Sequence, residues 1–204
     1  MSVSRLLVVL ALVAGWPSPA RADVLFTPFV GANFGGSADA PFADVVGDQS
    51  RTTFGGSIAV MSGGIFGIEA DLGYTPKFFG TDVDIAGVPV DVAGNNVLTA
   101  MVNLTAGVPL EGRSGVGIRP YAVGGVGLIR QRFEVVGGLF GYSASDVGYN
   151  VGGGLLLFFS PNVGIRGDVR HFRSLAGDMV IDLLDLDLGT FNFTRATVGV
   201  TFRY

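Results

Sequence analysis

The chain has 204 residues, thirteen basic against seventeen acidic side chains and no cysteine. That length suits one domain, the missing cysteines exclude a disulfide-stapled scaffold, and the net charge of −4 argues against nucleic acid as a partner. A mean hydropathy of +0.52 is high for a soluble domain, yet past the first residues no run approaches the ~18 apolar residues that mark a membrane helix.

The opening MSVSRLLVVLALVAGWPSPARA carries a basic Arg5, an apolar run from Leu6 to Ala14, a Pro-broken stretch at Trp16 to Pro19, and Ala20-Arg21-Ala22. This is the layout of a secretory signal peptide over residues 1–22, with cleavage expected after Ala22. The run is too short for the ~20 residues that cross a bilayer. Losing Arg5 and Arg21 leaves eleven basic residues against seventeen acids, a net charge of −6 for residues 23–204, which read as a single domain.

Segments alternating in polarity follow, separated by turn-forming residues. The pattern predicts strands over Val24–Phe34, Thr52–Met61, Ile65–Thr75, Asn96–Gly107, Ile118–Gln131, Asp146–Phe159, Val163–Arg173 and Thr190–Tyr204. Ser62-Gly63-Gly64 and Ser160-Pro161-Asn162 are tight turns by composition, and Val108–Gly117 is a longer connection of the same end. The other connections, Gly35–Arg51, Pro76–Asn95, Arg132–Ser145 and Ser174–Gly189, are long. Eight strands with short turns at one end and long loops at the other describe an all-β, eight-stranded, antiparallel up-and-down transmembrane barrel, which explains high hydropathy without a long apolar run.

A soluble ligand-binding barrel of the lipocalin type shares that topology, so the two faces of each strand must decide. Glu69 and Asp71 alternate with Phe66, Ile68, Leu72 and Tyr74, and Arg166, Asp168 and Arg170 alternate with Val163, Ile165 and Val169. In the last strand Arg195, Thr197, Gly199, Thr201 and Arg203 share one parity, and Ala196, Val198, Val200, Phe202 and Tyr204 the other. An eight-stranded barrel is just wide enough for side chains to fill, so charges interleaved with glycine and threonine suit the inside. The uncharged parity then faces lipid. Counting inward from the same end puts Glu69 and Asp71 at the depth of Arg166, Asp168 and Arg170, which predicts a lumen charge network that plugs the barrel. A narrow gated ion path is the alternative. The faces of the first strand stay open, because Phe26, Val30 and Phe34 oppose Leu25, Phe29 and Asn33.

PFVGANFGG at Pro28–Gly36, RPYAVGGVGL at Arg119–Leu128, VGIRGDVRHF at Val163–Phe172 and the ending TVGVTFRY together resemble the small outer-membrane β-barrel proteins, similar to the transmembrane domain of outer membrane protein A and to outer membrane protein X. The resemblance spans the mature chain. It implies a location in a Gram-negative-type outer membrane and an assembly signal at Thr197, Gly199, Phe202 and Tyr204, read by the barrel-assembly machinery. It also implies a periplasmic aromatic girdle holding Tyr204. Protein A relatives continue into a peptidoglycan-binding domain; nothing of that kind follows Tyr204 here, so wall anchoring is not expected.

Three features bear on chemistry. His171 and Ser174, in DVRHFRS, resemble the pair used by outer-membrane lipid A deacylases, but a spacing of three puts them on opposite strand faces, and a rim histidine is the plainer reading. Asp178, Asp182, Asp185 and Asp187 in the last loop lack the order and glycine of an EF-hand calcium loop. With Asp39, Asp44, Asp48, Asp82, Asp84 and Asp91 they make the outer loops acidic, and divalent ions there would bridge to lipopolysaccharide phosphates. Met179, Val180, Ile181, Leu183 and Leu184 add an apolar edge suited to a protein partner. No catalytic residue, metal or cofactor is expected. The reading is a non-enzymatic outer-membrane barrel, structural or surface-interacting, with a lipid-modifying enzyme or a gated channel as alternatives.

Overall fold

Alternation of polarity becomes alternation of facing because successive side chains of an extended chain point to opposite sides. The computed structural model describes residues 22–37, 50–61, 65–78, 82–85, 88–110, 117–135, 141–175 and 191–204. It contains β1 (Asp23–Ser37), β2 (Arg51–Met61), β3 (Phe66–Pro76), β4 (Asp82–Ile85), β5 (Val88–Gly107), β6 (Gly117–Val135), β7 (Gly141–Phe158), β8 (Val163–Ser174) and β9 (Asn192–Arg203). Along the sheet they run β3-β2-β1-β9-β8-β7-β6-β5-β4, and β3 also pairs with β5. That last pairing closes an eight-stranded antiparallel barrel. β4 stays outside the ring, paired only with the outer extension of β5 from Asp82↔Asp91 to Ile85↔Val88.

Closure matters because a sheet edge would leave backbone groups without partners, and hydrocarbon offers none. β1 and β9 meet in register from Leu25↔Arg203 through Val30↔Val198 to Asn33↔Arg195. The chain end is tied as well. Val24 N donates to Tyr204 O at 3.1 Å and Tyr204 N donates to Val24 O at 3.0 Å, while the Tyr204 ring is 78% exposed on the outer face. The tight turn at Ser160–Asn162 is held by Asn162 Nδ2 donating to Arg203 O at 2.9 Å and by Phe159 and Ser160 N donating to Val163 O. A closed ladder of this kind resists detergent unless heated. Unheated protein is therefore expected to migrate differently from boiled protein on a denaturing gel, and identical migration would contradict the fold.

Strand positions agree with the alternation, but several strand ends differ: β1 runs on to Ser37, into the expected 35–51 loop, and β4 is a strand inside the expected 76–95 loop. Segments 76–95 and 132–145 were expected as loops, whereas β5 begins at Val88, β6 reaches Val135 and β7 starts at Gly141. Val88, Val90 and Val92 are β-branched, and hairpin pairing satisfies the backbone as well in water as in lipid, so the ladders continue past the membrane, as at Glu134↔Gly141. The structure also assigns β1, whose faces the sequence left open. Leu25, Thr27 and Asn33 are buried inside, and Val24, Phe26, Val30 and Phe34 are exposed outside. The expected leader (residues 1–21), the turn at 62–64, and most of the first and last long loops (38–49 and 176–190) lie outside the described residues. Among the described residues no helix is long and apolar enough to cross a membrane.

Candidate functional site

Among the described residues, charges are gathered and buried in the lumen. Arg166, Asp168 and Arg170 project from β8, Arg195 from β9, and Glu69 and Asp71 from β3, all buried, with Glu69 only 1% and Arg170 only 2% exposed. β3 and β8 stand four places apart in either direction round the eight-strand ring, so contacts between them span the full lumen. Glu69 accepts from Arg166 Nη1 and Arg170 Nη2 (2.8 Å), and from Asn103 Nδ2 at 3.1 Å. Asp71 pairs with Arg195 Nη2 at 2.7 Å and lies 3.7 Å from Arg170 Nη1. Asp168 takes Arg170 Nε at 2.6 Å, Arg166 Nη2 at 3.2 Å and the Tyr121 hydroxyl. The six predicted lumen charges thus form one connected set of three guanidiniums and three carboxylates.

Such a set must balance, because a buried unpaired charge costs several kcal/mol in practice. The backbone sharpens the demand. Arg170 and Arg195 face each other directly in the β8–β9 ladder, a like-charge pair that repels unless something offsets it. Asp71, from across the lumen, reaches both. Arg195 also stacks over Phe172 at 4.7 Å and Phe29 at 4.9 Å.

Glycine makes the room. A Cβ at Gly73 would collide with Arg195 Nη1 and Thr99 Oγ1, and one at Gly154 with the Tyr121 hydroxyl and Gly167 O. Gly73→Val is therefore expected to displace Arg195 and to cost about 1–3 kcal/mol, read as a lower urea midpoint for unfolding from lipid vesicles.

Two apolar layers bracket the charges. Toward the short turns lie Leu25, Ala59, Met61, Val123, Leu156 and Phe158, with the ring of Tyr121. Toward the long loops lie Phe78, Val97, Met101, Ile129, Phe172, Phe191 and Phe193. In that outer layer Phe172 stacks on Phe193 at 4.9 Å and Phe78 meets Phe191 and Phe193 edge-on at 5.4 Å each. Between the layers a small cavity lined by Asp71, Arg170, Thr197 and Gly199 has room for about one water. Arg170, whose Nη1 has no hydrogen-bond partner, is one of the residues lining it.

The remaining expected site residues fall as follows. Thr197 and Gly199 face the lumen, Phe202 faces outward opposite Phe26, and Tyr204 is outside at the short-turn end. His171 points outward and shares a 3.2 Å hydrogen bond with Thr194 Oγ1, whereas Ser174 is inside and 2% exposed. The two are not brought together. The candidate calcium carboxylates of the last loop lie outside the described residues, and no described cluster of His, Cys, Asp or Glu could hold a metal. Tyr121, Asn103 and Ser57 were missed by the sequence reading. Each lies on the buried parity of its strand, but neutral polar residues at such positions stand out only once their partners are known.

The family model for the outer membrane protein β-barrel domain matches residues 7–203. The chain belongs to that family. No curated protein matches it in sequence. Among solved structures, its fold is similar to that of Neisserial surface protein A, at 12% identity and a TM-score of 0.60, covering 89% of this chain and 97% of the other. It is likewise similar to the attachment invasion locus protein Ail of Yersinia pestis, solved with the heparin analogue sucrose octasulfate (13%, 0.55, 90% and 99%). A third is the N-terminal barrel domain of Pseudomonas aeruginosa OprF (18%, 0.52, 89% and 97%). These likenesses concern the fold; the family makes the chain an outer-membrane protein.

Proposed function

We propose that this outer-membrane barrel is a non-enzymatic protein with a plugged lumen, acting as a structural element and a surface for interaction through its long acidic loops. The balanced charge set spanning the lumen between two apolar layers carries this reading. An ion entering from either side would have to part packed side chains and then displace a guanidinium already paired. Planar-bilayer recording tests it. Wild-type barrel is expected to give no steady, large conductance, and Glu69→Ala to add small-channel events. Steady, large wild-type conductance would favour the gated channel instead.

The separation of His171 from Ser174 supports the non-enzymatic reading. Lipid A acylation in cells carrying His171→Ala is expected to match the wild type, and a change would make the barrel a lipid-modifying enzyme. Partners follow from position: the outer-leaflet lipopolysaccharide round the barrel, the barrel-assembly machinery at the final strand, and a protein at the loops. Ail shows that this fold can present a ligand site, although acidic loops here favour a cationic ligand over a sulfated one. A pull-down with the purified barrel, compared with one lacking residues 174–189, tests the loop partner.

A further inference from the structure

Round the ring, β4 aside, each strand pairs with its neighbours in the chain, except where β1 meets β9. Thr27 and Thr201, which face each other across that seam, lie 174 residues apart in sequence. Hairpins form locally, whereas this pairing needs nearly the whole chain in place, so loop closure puts it last. Until then the β9-facing edge of β1 offers unpaired backbone groups to any strand that comes near.

A proline sits in the middle of that edge. Val24 and Tyr204 exchange both backbone hydrogen bonds, and such bonded pairs recur at every second residue of an antiparallel ladder. The register is the same at Phe26↔Phe202 and at Val30↔Val198, which sets Pro28 opposite Val200 at a bonding position. Proline has no N–H to give, so Val200 O faces a nitrogen without a hydrogen. The ladder lapses there, at Thr27 and Pro28, between Phe26↔Phe202 and Phe29↔Gly199. On its other side β1 pairs with β2 without a break from Asp23↔Met61 to Asn33↔Arg51. Phe26, Val30, Val198 and Val200 are exposed on the outer wall around the gap, so its surroundings are apolar. Closure within one chain offsets the missing bond, because Thr27 Oγ1 and Thr201 Oγ1 meet at 2.9 Å, both buried, and Arg195 reaches Asp71. The β1 edge of another copy, laid against this one, meets neither.

We propose that Pro28 is an edge guard, which keeps the open edge of β1 from pairing with a second copy of this chain before β9 closes the ring. The role is independent of what the lumen or the loops do.

The protein is diluted from urea into phosphatidylcholine vesicles at a low and a high protein concentration. Folded monomer is counted by gel mobility without heating and multimer by chemical cross-linking. In Pro28→Ala the restored amide can reach Val200 O, so the urea midpoint of the folded monomer is expected to rise. At high concentration the multimer share is expected to grow roughly twofold over the wild type, and at low concentration to match it. A more stable barrel that assembles less cleanly is the signature of a guarded edge. An unchanged multimer share at high concentration, or a lower midpoint, would overturn the proposal. Pro120→Ala is the control, since Pro120 O accepts from Val108 N at 3.0 Å and its backbone groups face the β5 side of a single hairpin. The same growth of multimer in that variant would also overturn it, because loss of any strand proline would then suffice. Pro28→Val restores the same amide with a β-branched side chain and supplies the comparison if Pro28→Ala does not fold.

Discussion

Glu69→Ala is expected to destabilise the barrel by about 3–5 kcal/mol, the cost of leaving a buried ion pair with one partner. Glu69 is the carboxylate that ties Arg166 and Arg170 to the opposite wall, and Asn103 donates to it as well. Without it, Arg166 keeps Asp168, but Asp168 is already shared with Arg170, so three guanidiniums remain against two carboxylates. Glu69→Gln, which preserves the shape and an acceptor oxygen, should lose less. A variant combining Glu69→Ala with Arg166→Met removes the imbalance together with the charge, so its loss should fall short of the two single losses added. Urea unfolding from lipid vesicles, followed by gel mobility, measures all four. Additive losses would mean that the two residues do not act as a pair.

Deleting Phe202–Tyr204 is expected to abolish assembly, leaving protease-sensitive protein in the periplasm. The deletion removes the reciprocal hydrogen bonds between Tyr204 and Val24, which end the β1–β9 seam. It also removes Arg203, whose Nε donates to Pro161 O at 2.5 Å and whose guanidinium lies 4.2 Å from the centre of the Phe158 ring. With β9 shortened, both the last barrel seam and the turn before β8 lose their anchor, and unpaired backbone cannot enter hydrocarbon. Under the proposed reading of this strand by the assembly machinery, the same residues are needed before the barrel exists. Tyr204→Ala separates the two effects, since it leaves the backbone pair in place and removes the exposed ring. Normal surface assembly of the three-residue deletion would refute both.

Much of this protein is legible in its sequence. Facing along a strand is a local property with a period of two, so the buried sides of β3, β8 and β9 follow from the spacing of Glu69, Arg166 and Arg195 among aliphatic neighbours. The strand count follows from the same alternation and from turn composition. Even the depth match between β3 and β8 could be counted, because both strands start at the same end.

Other features depended on closure. In β1 both parities carry aromatics, so only its pairing with β9 and β2 sends Leu25 and Asn33 inward and Phe26 and Val30 outward. The apolar layer formed by Phe78, Phe172, Phe191 and Phe193 joins three distant parts of the chain, and no single segment announces it. Strand ends at Val88, Val135 and Gly141 were set by the partner strand, since a ladder continues wherever its neighbour does. Which acid serves which base was likewise undetermined, because Arg166 reaches Glu69 and Arg195 reaches Asp71 only after the ring closes and fixes the shear between strands. A single strand's own alternation determines which side chains turn inward; the closed ring decides what they meet there.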